Sequence, residues 1–137
     1  MEANVELNDD VFAQQFKECT LNPALFNHEA HLRLAWIHIK KCGVDKAIEN
    51  ICEQLTVFTG SLGASDKYNK TITIAAIKAV NHFINKADID NFQDFIQTFP
   101  RLKFNFKELM AYHYQADIYT LETAKKEYME PDLVPFT

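Results

Sequence analysis

The sequence predicts an all-α fold, a single-domain bundle of about six or seven helices over residues 1–137. Apolar residues recur at spacings of three and four along most of the chain, which is the period of a helix face. The alternation of apolar and polar residues that half-buried strands require is absent. The 3 Gly and 4 Pro stand mainly where the helical patterns stop, and no linker, repeat or low-complexity tract divides the chain.

Composition indicates a folded globular chain and excludes several classes of function. Hydrophobic residues make up 47% of the sequence, and 11 Phe with 5 Tyr supply material for a core. The 14 basic residues are outnumbered by 19 acidic ones and form no cluster, so nucleic acid is not an expected partner. The N-terminal MEANVELNDD lacks the apolar region of a secretion signal, and no apolar run reaches the ~20 residues that span a membrane. Cys19, Cys42 and Cys52 are odd in number and lack CxxC spacing, so we expect reduced thiols and a cytoplasmic location.

Three helices are predicted in the first half of the chain. The first runs from about Asp9 to Cys19 and ends at TLNPALF, and its predicted buried residues are Val11, Phe12 and Phe16. A second helix is predicted to begin after the N-cap Asn27, to reach Cys42 and to end at Gly43. Asp45 is the predicted cap of a third helix, whose apolar face carries Ile48, Ile51, Cys52, Leu55 and Phe58.

Three further helices and a short last one are predicted after the loop GSLGASDKYNK. The fourth presents Ile72, Ala75, Ala76, Ala79 and Phe83 on one face, where the small residues allow close helix approach. Asp90 opens a fifth with Phe92, Phe95, Ile96 and Phe99. Asn105 opens a sixth with Phe106, Leu109, Met110 and His113, and Thr120 opens the last, which ends before Pro131.

The stretch FNHEAHLRLAWIHIKK carries three histidines on the apolar side of the second helix. At about 100° per residue, one narrow stripe contains His28, Leu32, Ala35, Ile39 and Cys42. His31 and His38 lie at one edge of this stripe, Trp36 lies at the other, and Arg33 and Lys40 face away. Leu34 and Ile37 widen the apolar surface, so this helix is predicted to be central.

His28 and His31 are three residues apart, so their rings leave the same helix face one turn from each other. That spacing suits two ligands of one metal ion. Both also lie in the first turn, where the helix dipole favours the neutral ring that a ligand or general base needs. The alternative is a pair of histidines that only pack and hydrogen-bond. No Asp or Glu falls on a predicted core face, which argues against a di-iron bundle and against paired-carboxylate catalysis.

Further ligand candidates come from the inward faces of other helices. These are His113 on the sixth helix and Tyr68, Asn69 and Thr71 at the start of the fourth. Each also has a structural interpretation. His113, like His38, can pack at a core edge, and KYNKTIT can be a helix start in which Thr71 and Thr73 bond to the local backbone.

These motifs resemble those of an uncharacterised family of small bacterial helical proteins. The pattern of that family is F-x-H-x-x-H-L-R-x-A-W, then Y-H-x-T-I-T, then a tyrosine-rich segment and a terminal PDL; here FNHEAHLRLAW, YNKTIT and EPDL stand in those places. The resemblance implies a three-histidine cluster between the second and fourth helices, which would hold a metal or a polar small molecule. Asn69 replaces the third histidine in this chain, and because Asn is a poor ligand for zinc or iron, a divalent metal is disfavoured.

Two hypotheses follow from the sequence. The first is a cytoplasmic small-molecule-binding protein, with catalysis and metal binding as open alternatives. Its predicted buried pocket contains His28, His31, Tyr68, Asn69, Thr71 and His113, with His28 and His31 as the metal candidates. The second is a non-catalytic interaction module with structural histidines, which forms a homodimer or binds a protein partner through exposed Tyr112, Tyr114 or Tyr119. The reaction, if there is one, is not predicted.

Overall fold

The all-α prediction is confirmed. The structure is a computed structural model that describes residues 7–136, and in this range it contains eight α-helices, two 3-10 turns and no strand. The N-terminal residues 1–6, on which part of the argument against a secretion signal rests, lie outside the described range. No helix in that range is both long and apolar enough to cross a membrane.

The chain divides into two compact units, which meet in sequence between Tyr68 and Asn69. The first contains α1 (Asp9–Lys17), α2 (His28–Cys42) and α3 (Val44–Ser61), with 3-10 turns at Pro23–Leu25 and Ser65–Lys67. The second contains α4 (Lys70–Ile84), α5 (Phe92–Thr98), α6 (Arg101–Phe104), α7 (Phe106–Ala111) and α8 (Glu122–Lys126). One domain over residues 1–137 stays a prediction.

The central position predicted for the second helix is confirmed within the first unit. Helix α2 packs against α3, and α1 packs against both. Leu32, Leu34, Ala35, Trp36, Ile37 and Ile39 are all buried, so almost every side of α2 is covered. Next to it, the rings of Phe16, Phe26 and Phe58 contact one another with centroids 4.9 to 5.5 Å apart.

The ends of α2 are as predicted, whereas the end of α1 and the cap of α3 differ from the prediction. The Asn27 side chain accepts a hydrogen bond from the Ala30 N–H at 2.8 Å, and Gly43 has a φ of 85° that favours glycine. Gly43 is also the N-cap of α3, so the prediction of Asp45 as cap is wrong and Asp45 lies in the first turn. Helix α1 ends at Lys17 rather than Cys19, because Cys19 adopts a φ of 61°. Val11 was predicted to be buried but is 39% exposed.

Arg33 was predicted to face away from the apolar surface, and this is wrong. The side chain is buried, with a relative accessibility of 7% for the residue. Its Nε and Nη2 atoms donate to Asp9 Oδ1 at 3.1 and 2.9 Å, and Nη2 also donates to the Leu7 carbonyl at 2.6 Å. The guanidinium carbon lies 4.6 Å from the centroid of the Phe12 ring. Arg33 therefore joins α2 to the start of α1.

The second unit forms around α4, which is buried along most of its length. Thr71, Thr73 and the apolar residues from Ile74 to Val80 are almost all inaccessible, and α4 packs against α8. The small residues Ala75, Ala76 and Ala79 are buried, as predicted, and on the facing helix Ala124 has no exposed surface. Phe92, Phe95, Leu102, Leu109, Met110 and Ile118 supply further core residues of this unit.

We expect Asp9→Ala to lower the free energy of unfolding by about 1–3 kcal/mol, because it leaves a buried guanidinium without its carboxylate partner. Asp10→Ala is the matched control, since Asp10 is in the same first turn but only forms an exposed pair with Lys41 at 3.8 Å. We expect a change of at most about 0.5 kcal/mol for the control. Urea denaturation measures both, and equal losses would contradict the role given to Arg33.

Candidate functional site

The histidine pair of α2 is not the buried pair that the sequence predicts. His28 is exposed at the helix start, where Asn27 provides the cap. His31 is only partly accessible, and its Nε2 atom is buried without a hydrogen-bond partner in the structure. The predicted position of His28 on a buried stripe is therefore wrong: Ala30 in the same helix turn is buried, whereas His28 is on the exposed side of that turn. A metal role for His28 and His31 stays a prediction.

His31 is held in its neutral form. Its ring centroid lies 6.0 Å from that of Phe26, which belongs to the aromatic cluster of the first unit. Burial and, to a smaller extent, the neighbouring charge of His28 lower the pKa of His31 to about 4. The neutral state agrees with the sequence prediction, but its main cause is desolvation.

Tyr68, the last residue of the first unit, has partners of its own. Its hydroxyl hydrogen-bonds with the side chains of Cys52 and Thr56 on α3. Burial raises the pKa of Tyr68, and the hydrogen bond to Cys52 adds to this effect. The phenol therefore stays protonated at neutral pH.

Asn69 and Thr71 hold the start of α4 to the C-terminal part of the second unit. The Asn69 side-chain oxygen accepts from the Ile72 N–H at 3.0 Å, and its amide nitrogen donates to the Ile118 carbonyl at 2.8 Å. Thr71 is fully buried; its hydroxyl donates to the Glu127 carbonyl at 2.8 Å and accepts from the Met129 N–H at 3.1 Å. The Asn69 cap, and the Thr73 hydroxyl that donates to the Asn69 carbonyl at 2.7 Å, support the helix-start interpretation of KYNKTIT. The expectation that Thr71 bonds to the local backbone is wrong, because both of its partners lie in the C-terminal part of the chain.

His113 does not lie on a helix face, because α7 ends at Ala111. Its Nδ1 is 2.6 Å from the Val134 carbonyl, and its ring stacks on Phe136 with centroids 4.0 Å apart. The neighbouring Gln115 N–H donates to Asp132 Oδ1 at 2.8 Å. His113 therefore helps to hold the terminal segment that contains PDL.

The tyrosines of the interaction hypothesis differ in accessibility. Tyr112 is 60% exposed, whereas Tyr114 is only 5% exposed and donates to the Met129 carbonyl at 2.7 Å. Tyr119 is half-buried, and its hydroxyl is inaccessible. The expectation that Tyr114 is exposed is thus wrong, because its hydroxyl satisfies a backbone carbonyl.

Among residues 7–136, no group of three or more His, Cys, Asp or Glu side chains comes close enough together to hold a metal ion.

A polar groove of about 470 Å³ lies in the first unit, where all three helices meet. Helix α1 contributes Asp10, Ala13, Gln14 and Lys17. Helix α2 contributes His38, Lys41 and Cys42, and α3 contributes Lys46, Asn50 and Gln54. Apart from the adjacent pairs 13/14 and 41/42, neighbouring positions in each helix are three or four residues apart, so each helix presents one stripe to the groove. The volume is within the range of small-molecule sites.

Two polar atoms in the groove walls are buried and have no hydrogen-bond partner in the structure. They are His38 Nε2 on α2 and Gln54 Oε1 on α3. Beside them, the Cys42 thiol donates to the His38 carbonyl at 3.1 Å and lies 3.8 Å from the Asn50 amide nitrogen, which donates to it. Because buried polar groups are almost always hydrogen-bonded, these two atoms indicate a place for a molecule with polar groups.

The residues that line the groove carry a net positive charge. Lys17, Lys41 and Lys46 line it, against the single carboxylate of Asp10. The pKa of His38 is lowered by burial first and then by the charges of Lys41 and Lys17. His38 is therefore a neutral ring in a positive potential.

The groove was not predicted from the sequence. His38 was expected to pack at a core edge, and neither Gln54 nor the lysines were predicted as site residues. A signal was present in the polar stripes at positions 10, 14 and 17, at 38, 41 and 42, and at 46, 50 and 54. Each stripe alone is typical of a solvated helix face, and only the packing of α1 on α2 and α3 brings them together.

Comparisons with known proteins found no relative of this chain. The chain matches no family model, and comparison with curated proteins and with solved structures found no similar protein. The resemblance to a small bacterial family therefore stays a prediction.

We expect the His31 imidazole to titrate near pH 4 in the folded protein, as measured by NMR. Between this pKa and the ordinary value of 6.5, the unfolded chain binds more protons than the folded one, so acidification destabilises the fold.

At about 1.4 kcal/mol per pKa unit, the loss below pH 4 is about 3 kcal/mol, and the full contribution is present above pH 6.5. His31→Met should remove this part of the pH dependence of unfolding, and His28→Gln should keep it. A His31 titration near 6.5 would contradict the burial of its ring.

Proposed function

We propose that this is a small-molecule-binding protein whose site is the groove of the first unit. The single observation that carries the proposal is the pair of buried atoms without hydrogen-bond partners, His38 Nε2 and Gln54 Oε1, in the walls of one groove. A bound molecule would restore the hydrogen bonds that these atoms lost on leaving water.

The groove supports this proposal better than the pocket predicted from sequence. The polar atoms of Asn69, Thr71 and His113 are already bonded to backbone groups of the second unit. His38 Nε2 and Gln54 Oε1, in contrast, keep hydrogen-bonding capacity on two side chains that line the groove. We retain the cytoplasm as the proposed location, and we propose no catalytic step.

Filling the groove should remove binding. We expect Ala13→Phe to place a ring in the groove and to abolish the chemical-shift changes that ligands cause in the parent, while the remaining amide spectrum is unchanged. Val57→Phe is the matched control, because Val57 is on α3 but 56% exposed and outside the groove.

The probes are small hydroxy acids, phosphate esters, amides and amines, each titrated into labelled protein and followed by NMR. Shift changes confined to groove residues in the parent and the Val57→Phe variant, and lost in Ala13→Phe, are expected. Binding that persists in Ala13→Phe, or the absence of binding by every class in the parent, would overturn the proposal.

Gln54→Leu should raise the free energy of unfolding by about 1 kcal/mol, because it replaces a buried acceptor that lacks a donor by an apolar group of similar size. The same change should weaken ligand binding in the groove. Gln97→Leu, at an exposed position of α5, is the control and should change neither property. Thermal and urea unfolding measure the first effect, and a destabilised Gln54→Leu variant would show that the amide is already satisfied.

A further inference from the structure

We infer that the ligand of this groove is a small anion of the carboxylate or phosphate class that also carries a hydrogen-bond donor. This inference rests on the proposed function and adds the chemical class of the ligand. Three observations support it. The groove walls carry a net positive charge, their lysines form only exposed ion pairs or none among residues 7–136, and the two atoms without partners are a histidine nitrogen and an amide oxygen.

The net charge of the groove lining is opposite in sign to that of the whole chain. The full sequence has a net charge of -5. Within the groove, by contrast, three lysine ammonium groups face one carboxylate, that of Asp10. A concave site lined by one sign of charge concentrates ligands of the opposite sign. The local excess therefore favours an anion although the whole molecule is acidic.

The lysines are available to a ligand. Lys41 lies 3.8 Å from Asp10, with 74% and 89% of their side chains exposed, and Lys46 pairs with exposed Glu49 at 3.4 Å. Exposed pairs of this kind contribute about 0–1 kcal/mol, so an anion in the groove can replace them at little cost. Lys17 has no ion pair among residues 7–136.

The floor of the groove adds directional hydrogen bonds to this charge. His38 Nε2 can donate to an anionic oxygen, either in the neutral tautomer that carries its proton or as imidazolium. Gln54 Oε1 is an acceptor, so the same ligand needs a hydroxyl or N–H group. A hydroxy acid or a hydrogen phosphate has both properties.

Anion binding should also be visible at His38. The titratable groups around its ring are Asp10 and Lys17 on α1, Lys41 and Cys42 on α2, and Lys46 on α3. The ammonium groups of Lys41 and Lys17 help to lower the pKa of His38, after burial. An anion placed between them and the ring offsets this potential, so it should raise the pKa of His38.

The experiment uses the full chain and three probes: inorganic phosphate, malate and the uncharged diamide of malate. Calorimetry at low ionic strength measures affinity, and NMR measures the pKa of His38 with and without each probe. We expect malate or phosphate to bind at least ten times more tightly than the diamide and to raise the pKa of His38, and we expect no such rise with the diamide.

Charge-changing variants assign the effect to the groove. Lys17→Glu should lower the affinity for malate or phosphate at least tenfold, and Lys17→Gln should lower it less. Lys67→Glu is the matched control, because it makes the same charge change at an exposed position of the first unit outside the groove. We expect it to leave the affinity within about twofold of the parent.

The outcomes separate this inference from the proposed function. Equal binding of malate and its diamide, both lost in Ala13→Phe, would keep the groove as a binding site and overturn the anion inference. Equal weakening by Lys17→Glu and Lys67→Glu would mean general charge attraction and would also overturn it. So would an unchanged His38 titration in the presence of phosphate and malate.

Discussion

Much of the first unit depends on the buried guanidinium of Arg33. It donates hydrogen bonds to Asp9 Oδ1 and to the Leu7 carbonyl at the start of α1, and it lies over the ring of Phe12. An arginine that is 7% exposed has to make the hydrogen bonds of its guanidinium within the protein, and these two oxygens accept three of them. The consequence is that α1 is held on α2. Because α1 provides one whole wall of the groove, the proposed site depends on an ion pair that lies outside it.

His31 and His38 on α2 each have a buried Nε2 atom without a hydrogen-bond partner in the structure, but the surroundings of these two atoms differ. His31 Nε2 lies next to the aromatic cluster of Phe16, Phe26 and Phe58, and its burial is compatible with a neutral packing residue. His38 Nε2 lies in the wall of a groove with room for a molecule and with three cationic side chains. Both nitrogens have lost hydrogen bonds to water, and only His38 shares a groove with another unsatisfied polar atom. The groove beside His38 is the reason for proposing a binding role for His38 and a structural one for His31.

Local signals in the sequence predicted the helices better than the contacts between them. Asn27 and Gly43 bound α2 because capping depends on side chains and φ values of the residues themselves. The same reasoning failed for Arg33, since a wheel places its side chain away from the main stripe and contains no information about α1. It also failed for His28, whose exposure depends on how far the covering elements reach. The groove could not be predicted, because it arises from the rotation of three helices about their axes.

The acidic net charge of the chain is compatible with an anion site, and it affects selectivity. At physiological ionic strength, charges separated by more than about 8 Å are largely screened, so the total of -5 acts weakly on a ligand within the groove. Lys17, Lys41 and Lys46 line the site itself and therefore dominate the potential that the ligand meets. The acidic surface outside the groove gives no comparable attraction to polyanions, which need many phosphate contacts at once. For the proposed site we therefore expect a small anion that fits within the groove to be favoured over a large one that must also contact the surrounding surface.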